Sequence, residues 1–492
     1  MVKKNFSEKN KKGNELTRRK FLQTTASAAA AFTIIPRHVL GGKDYTAPSD
    51  TVNIAGVGVG GRGASDIRGL CDPDVIVASA PRNPIRQQNP SAQATNVPAA
   101  SRAPVKLANI YALCDVDSVR AGNTFKGYPK AKIYTDWRQM LDKEKSSIDA
   151  VVIGCPDHSH APVAAAFMRE KKHVYVEKPM CKTIHECRTL AELAKQYDVV
   201  TQMGNQGHAA TGSRQCVEWI QSGVIGLVRE VHMWTNRPTG GGWVQGNMKR
   251  PEGVPVPPTL NYDVWLGPAP EKPYSPEIVP GKWRGLWDYG TGAMGDMGAH
   301  IMDVPVWALN LGMPSRIQAS SSPYSTDYLP AAEWVIYEFP ARGHMPPVSL
   351  TWVDGGLRPP LPDGLEPGRK LATNNMGYTT YYGDKGIMTH ASHGAVPELI
   401  PADKTFKGPD PWLPRTGNIY EDWIGAIKNG TKSCNDFSIS SKLTEIMLLT
   451  NIAVLNQKLD IKLEYDSANL KISNLPEANN LFHYEYRNGW SL

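Results

Sequence analysis

A doubly wound α/β domain followed by an α+β domain with a large, mostly antiparallel open sheet is the fold this sequence predicts, on three observations. The chain has 492 residues, whereas a single hydrophobic core stops growing near about 250–300. Between Thr51 and Met203 short apolar runs alternate with stretches of helical length, the rhythm of a parallel sheet covered on both faces. Beyond residue 204 long Pro/Gly-rich connections, notably Pro238 to Pro258 and Gly355 to Arg369, separate the runs, which suits an antiparallel sheet. The chain thus divides into a leader over 1–50, a first domain over 51–203 and a second over 204–492.

Five strands are expected in the first domain: Thr51 to Val57, Asn109 to Cys114, Asp149 to Ile153, His173 to Val176 and Val199 to Met203. Ala161 to Arg169 and Ile184 to Tyr197 have the length and composition of the intervening helices. Pro81 to Pro104, with five prolines among Gln, Asn, Ser and Ala, reads as an inserted surface loop. The second domain shows strands at Val228 to Trp234, Ala332 to Glu338 and Val348 to Trp352, then late helices at Glu421 to Lys428 and Leu443 to Leu455.

Charge and cysteine usage narrow the function. Residues 1–50 hold ten Lys or Arg against four Asp or Glu, so nearly all of the formal +7 lies in the leader and about +1 remains for the other residues. A nearly neutral body offers no footprint for nucleic acid. Within the leader, Thr17-Arg18-Arg19-Lys20-Phe21-Leu22-Gln23 and the Ala-rich run to Ile35 resemble a twin-arginine export signal. That resemblance implies recognition by the twin-arginine translocation machinery, cleavage near Ala29 to Ala31, and a periplasmic protein without a stable membrane anchor. The apolar run is shorter than the ~20 residues that span a bilayer. The seven scattered cysteines contain no C-x-x-C pair and read as buried thiols. No H-E-x-x-H or Cys/His cluster occurs, and no metal is expected.

Each motif falls at the carboxyl end of a strand, where a doubly wound sheet binds its ligands. Gly58-Val59-Gly60-Gly61-Arg62-Gly63 follows the first strand and opens a helix, the context in which G-x-G-x-x-G signals a dinucleotide. Gly58 permits the turn, Gly60 the approach of a pyrophosphate and Gly63 close helix packing, with the phosphates at the helix N-terminus. A register on Gly56, Gly58 and Gly61 overlaps it, but the later one leaves a complete strand. Asp115 ends the second strand, where it would accept from ribose hydroxyls and favour NAD, with NADP still open.

Pro156-Asp157-His158-Ser159-His160, Glu177-Lys178-Pro179 and Gly295-Asp296-Met297-Gly298-Ala299-His300 together resemble the Gfo/Idh/MocA family of sugar and polyol oxidoreductases, over essentially Thr51 to the C-terminal helices. The resemblance implies a homo-oligomer, dimer or tetramer, acting on a carbohydrate with bound NAD. Asp296 and His300 lie four apart and share a helix face. Hydride leaves a sugar carbon only as its hydroxyl proton is removed, so a base must reach that oxygen. His300 is assigned as that base, oriented by Asp296, with Lys178 holding and polarising the oxygen; the resemblance leaves open that Lys178 or a tyrosine, Tyr289 being a conceivable one, takes the proton. Pro156, Asp157, His160, Glu177, Lys178 and Asn205 join Gly58, Gly60, Gly61, Arg62, Gly63 and Asp115 as cofactor candidates. His208, Arg237, Trp287 and Tyr289 are substrate candidates, and Trp234, Trp243, Trp265 and Trp283 crowd the same region. An exported enzyme meets little free NAD, so the cofactor is expected to stay tightly bound and be recycled in place. The leading function is hydride transfer to or from a sugar, glycoside or cyclitol. An NAD-dependent glycosidase or lyase is the alternative, and a non-catalytic sugar- and nucleotide-binding protein the third reading.

Overall fold

The computed structural model describes residues 51–75 and 104–492. The leader and most of the proline-rich insertion lie outside the described residues. Six strands form the first sheet: β1 Asn53–Val57, β2 Asn109–Cys114, β3 Lys132–Tyr134, β4 Ala150–Ile153, β5 His173–Val176 and β6 Thr201–Met203. Their order is 3-2-1-4-5-6 and every pairing is parallel. This is the dinucleotide-binding order, with its switch point between β1 and β4. β4 is buried along its whole length because helices cover both faces, which is why it reads as an unbroken apolar run. β3 escaped the sequence reading: Lys-Ile-Tyr is a three-residue, largely exposed edge strand.

The helices have local causes. Thr183 accepts from the Glu186 amide while the Glu186 carboxylate accepts from the Thr183 amide, a capping box that starts the Ile184–Gln196 helix. The Asp157–Arg169 helix begins one turn before the expected Ala161 and carries Pro162 within it.

The second sheet has nine strands: β7 Val228–Thr235, β8 Arg316–Ser321, β9 Glu333–Phe339, β10 Val348–Val353, β11 Gly377–Gly383, β12 Gly386–Ala391, β13 Glu398–Ile400, β14 Leu463–Asp466 and β15 Lys471–Ile472. Their order is 13-12-11-7-10-9-8-14-15, antiparallel throughout except for β7 with β10. The Gly292–Ile301 helix packs on β7 and β11 and carries Asp296 and His300 to the mouth of the first sheet.

The chain's late helices return to the first domain, so the boundary at residue 204 does not separate two independent cores. Trp423 of the Ile419–Asn429 helix joins the cluster of Ile54, Ile67 and Tyr175, and Tyr420 donates to Asp66 at 2.8 Å. The Phe437–Asn456 helix packs against both the Ile184–Gln196 and Gly292–Ile301 helices. It is long and apolar enough to cross a membrane, but its most apolar window is 67% buried within the protein, as befits a core helix.

Candidate active site

A cleft of about 420 Å³ runs from the glycine turn to the Gly292–Ile301 helix, within the usual size of small-molecule sites. At one end β1 stops at Val57 and Gly58 takes φ +77°, the left-handed conformation that favours glycine. A Cβ at Gly58 would lie 2.5 Å from the Cys155 amide nitrogen, and one at Gly63 would lie 2.3 Å from the Gly58 carbonyl oxygen. The turn is therefore wedged between β1, β4 and its own helix. The Arg62–Leu70 helix has no side-chain cap and no acid in its first turn, so its free N–H groups and positive dipole end are available to an anion. Arg62 donates to Glu177 at 3.1 Å and pairs with Asp66 at 3.1 Å, and it still faces the cleft.

Asp115 closes the same end. Its carboxylate accepts from the Gly60 amide at 2.6 Å and the Asp117 amide at 2.9 Å, which leaves lone pairs for ribose hydroxyls. Burial raises its pKa to about 6, against the two amide bonds that lower it. Arg120 was not anticipated from sequence. A Cβ at Gly60 would lie 2.8 Å from Arg120 Cγ, so the arginine stem lies over the glycine turn. These features fit a dinucleotide: a Cβ-free turn, an uncapped helix start and a strand-end carboxylate in one cleft.

At the other end Lys178 Nζ donates to the Asp296 carboxylate and to the Asp296 carbonyl oxygen, each at 2.7 Å. Arg237 donates to the second carboxylate oxygen at 3.1 Å, and Arg284 lies 3.6 Å from the first. Burial opposes ionisation of Asp296, but Lys178, Arg284 and Arg237 outweigh it and hold its pKa well below the ordinary value. Burial lowers Lys178, with Asp296 opposing and Arg284 assisting. Arg284 also donates to both oxygens of Asp157 at 3.0 and 3.1 Å, and Thr291 donates to Asp157 at 2.6 Å.

His300 lines the cleft, and burial first, then His393 and Lys178, hold its pKa well below the usual 6.5. Asp296 does not orient it: that carboxylate is taken by Lys178 and Arg237. Asn205 does so instead, with its Oδ1 at 3.1 Å from His300 Nδ1. Placing the ring proton on Nδ1 leaves Nε2 as the basic nitrogen. Asn205 is therefore behind His300 and does not line the cleft.

Three substrate candidates turn away. His208 is buried, bonded to Asp303 at 3.0 Å and stacked on Trp307. The Tyr289 hydroxyl accepts from Arg250 at 2.6 Å inside a hydrophobic cluster, so it is no substitute base. Trp287 donates to the Ser325 carbonyl at 3.1 Å and packs on Tyr324. Arg237 remains on the cleft, as do Pro156, Asp157, His160 and Glu177. His160 bridges the carbonyls of Cys155 and Pro179, each at 2.8 Å, and so ties the ends of two strands together. Trp243, Trp265 and Trp283 line the wall, whereas Trp234 packs against Tyr378 elsewhere. His393, also on the cleft, lies in a stretch without a motif and was not anticipated.

The fold defines a two-domain dinucleotide-binding protein with a sheet-bearing second domain. Family models match two adjoining stretches: residues 91–205 match the NAD-binding Rossmann fold, and residues 210–339 the C-terminal alpha/beta domain, of the Gfo/Idh/MocA oxidoreductases. Over these two stretches the chain matches this oxidoreductase family, the first of them in its NAD-binding domain. It is 30% identical over 125 residues to inositol 2-dehydrogenase of Salmonella paratyphi B, covering 25% of this chain and 37% of that protein. It is 26% identical over 206 residues to a glycosyl hydrolase family 109 protein of Shewanella pealeana, covering 37% of this chain and 38% of that one. The matches thus span less than two fifths of either relative.

Among solved structures, WlbA dehydrogenase from Bordetella pertussis in complex with NADH and UDP-GlcNAcA superposes with TM-score 0.54 at 15% identity, over 85% of this chain and 99% of that one. Aldose-aldose oxidoreductase from Caulobacter crescentus, complexed with glycerol, gives 0.52 at 13% identity, over 84% and 100%. At these identities the likeness is one of fold.

Proposed function

We propose that the protein transfers hydride between a tightly held NAD and a hydroxyl-bearing carbon of a neutral sugar, glycoside or cyclitol. The observation that carries this is one cleft with the glycine turn and Asp115 at one end and Lys178, Asp296 and His300 at the other. When bound, the nicotinamide accepts or returns the hydride. Around it, His300 Nε2 takes the proton of the reacting hydroxyl, and the Lys178 ammonium, kept charged by Asp296, polarises the oxygen. Lys178 and Arg237 pair with Asp296, and Arg284 with Asp157, which favours a neutral ligand over an anionic one. Trp243 and Trp283 line the cleft, and indole rings stack well on sugar C–H surfaces. The test is a panel of sugars, glycosides and inositols added to NAD-loaded protein, read as bound NADH absorbance. A signal is expected with at least one of them and not with the Lys178→Ala variant. Normal turnover by that variant would overturn the reading.

The similarity to a glycosyl hydrolase family 109 protein favours a second reading, in which oxidation is transient and serves to expel an aglycone. Release of nitrophenol from nitrophenyl glycosides without net NADH would select it. The leader supports export and with it a retained cofactor. Native purification is then expected to yield stoichiometric nucleotide, and an apo protein that turns over with freely exchanging NAD would refute retention.

A further inference from the structure

The Ser392-His393-Gly394 turn follows β12 and reaches back to the Gly292–Ile301 helix. The His393 amide donates to the His300 carbonyl at 3.3 Å, and its ring lies face-on against the His300 ring, with centroids 3.9 Å apart and planes 21° from parallel. His393 holds φ +65°, a conformation uncommon for a residue with a Cβ and one that accumulates at functional sites. The surrounding structure enforces it. A Cβ at Gly207 would lie 3.0 Å from the His393 carbonyl carbon, and one at Gly212 would lie 2.3 Å from the Gly394 oxygen, so two glycines make room for the turn. Ser392 Oγ lies 2.8 Å from His393 Nδ1 and accepts from Asn374 at 3.0 Å, which fixes the ring's own orientation.

We propose that His393 is a positioning residue for His300: its ring, laid flat on the His300 imidazole, fixes that ring's plane, so that Nε2, left basic by the Asn205 bond, points to the substrate. The inference rests on the reading of His300 as the proton acceptor. Asn205 fixes the Nδ1 edge, but one hydrogen bond leaves the ring free to swing about it, and the stack removes that freedom. The charged groups that act on the pair are Lys178, Arg62 and Arg237, which disfavour its protonation, and Asp296, which opposes them. Burial and Lys178 bring His393 to about 4. Both rings are therefore neutral at pH 7, as a base and its support must be.

The test uses the full chain with isotopically labelled histidine and reads imidazole resonances between pH 8 and 5, with His300 assigned by its loss in a His300→Gln variant. Wild type is expected to show His300 as a single Nδ1–H tautomer without titration. His393→Asn keeps a residue tolerant of positive φ but removes the ring. In it the His300 ring, free to swing off the Asn205 bond, is expected to show mixed tautomers and a pKa raised toward its ordinary value, with burial and Lys178 still lowering it. The acid limb of kcat/KM, measured with the substrate from the panel, is expected to move to higher pH with it. His393→Phe, which retains a flat ring, is expected to behave as wild type. Unchanged tautomer and titration in His393→Asn would overturn the proposal, as would a folded Phe variant that behaves like the Asn one. Full turnover by His300→Ala would instead overturn the base assignment, and the ring resonances would still decide the question of the stack.

Discussion

Two buried carboxylate sites in the second domain, Asp296 on its helix and the Glu333–Asp354 pair on β9 and just past β10, differ in what surrounds them. Asp296 has three cations within 4 Å and is held ionised against burial. Asp354 accepts from the Glu333 amide at 2.7 Å and the Trp352 indole at 3.0 Å, and Glu333 Oε2 has no partner. No cation approaches the pair among the described ion pairs, and burial raises Asp354 to about 7 and Glu333 well above its ordinary range. Asp296, whose side chain is 15% exposed, and the more deeply buried Glu333–Asp354 pair are thus driven to opposite ionisation. What separates the candidate site from the scaffold is the cations brought in from three different segments, because each alone would be costly to bury unpaired.

The largest effect expected on that contrast comes from Lys178→Ala. It removes the one cation that bonds Asp296 twice and the group assigned to polarise the reacting oxygen. A loss of about 10³-fold in kcat/KM is expected, within the range of general acid–base groups. Arg237 and Arg284 keep Asp296 paired, so thermal unfolding should change little. A variant that loses stability and keeps turnover would place Lys178 with the scaffold.

Next in size is Asp296→Asn, which leaves Lys178 and Arg237 buried without a counter-charge. Breaking a buried pair typically costs about 3–5 kcal/mol, and because Arg284 retains Asp157 the lower end is expected, about 3 kcal/mol by chemical denaturation. Turnover should fall as well. Lys178, left with burial and Arg284 against Glu177, would then lose its proton more readily, so the variant should lose its remaining activity toward high pH at a lower pH than wild type does.

How much of this was legible follows from how local each feature is. β2 and β5 match the expected Asn109 to Cys114 and His173 to Val176 because a strand covered on both faces must be apolar throughout. Lys178, Asp296 and His300 were legible because they sit in short motifs at a strand end and at helical spacing. β11 was not: Gly-Tyr-Thr-Thr-Tyr-Tyr-Gly is buried over most of its length yet carries polar atoms, so neither alternation nor an apolar run marks it. His208, Trp287 and Tyr289 stand beside the right motifs, but each found a partner on its own side of the core, and sequence carries no sign of which way a side chain turns. His393 is the converse: its place depends on room left by Gly207 and Gly212, nearly two hundred residues earlier.

The smallest expected effect tests the scaffold side of the comparison. Glu333→Gln keeps the side chain's shape and removes one of two adjacent buried acids. In wild type the folded pair binds protons that the unfolded chain releases near its ordinary carboxylate pKa of about 4. Folded-state values are thus raised, so this contribution is fully present below about pH 4 and drains away as pH rises through about 7, where Asp354 ionises. Glutamine replaces the acid that burial and Asp354 push well above its ordinary range, so the loss of stability that Glu333 causes as pH rises is absent from the variant. The variant should match wild type at pH 5 and exceed it by about 1 kcal/mol at pH 8, read as a difference in thermal midpoint that grows with pH. A difference independent of pH would mean that the pair holds no proton in the fold. The contrast with Asp296 would then rest on packing and not on charge.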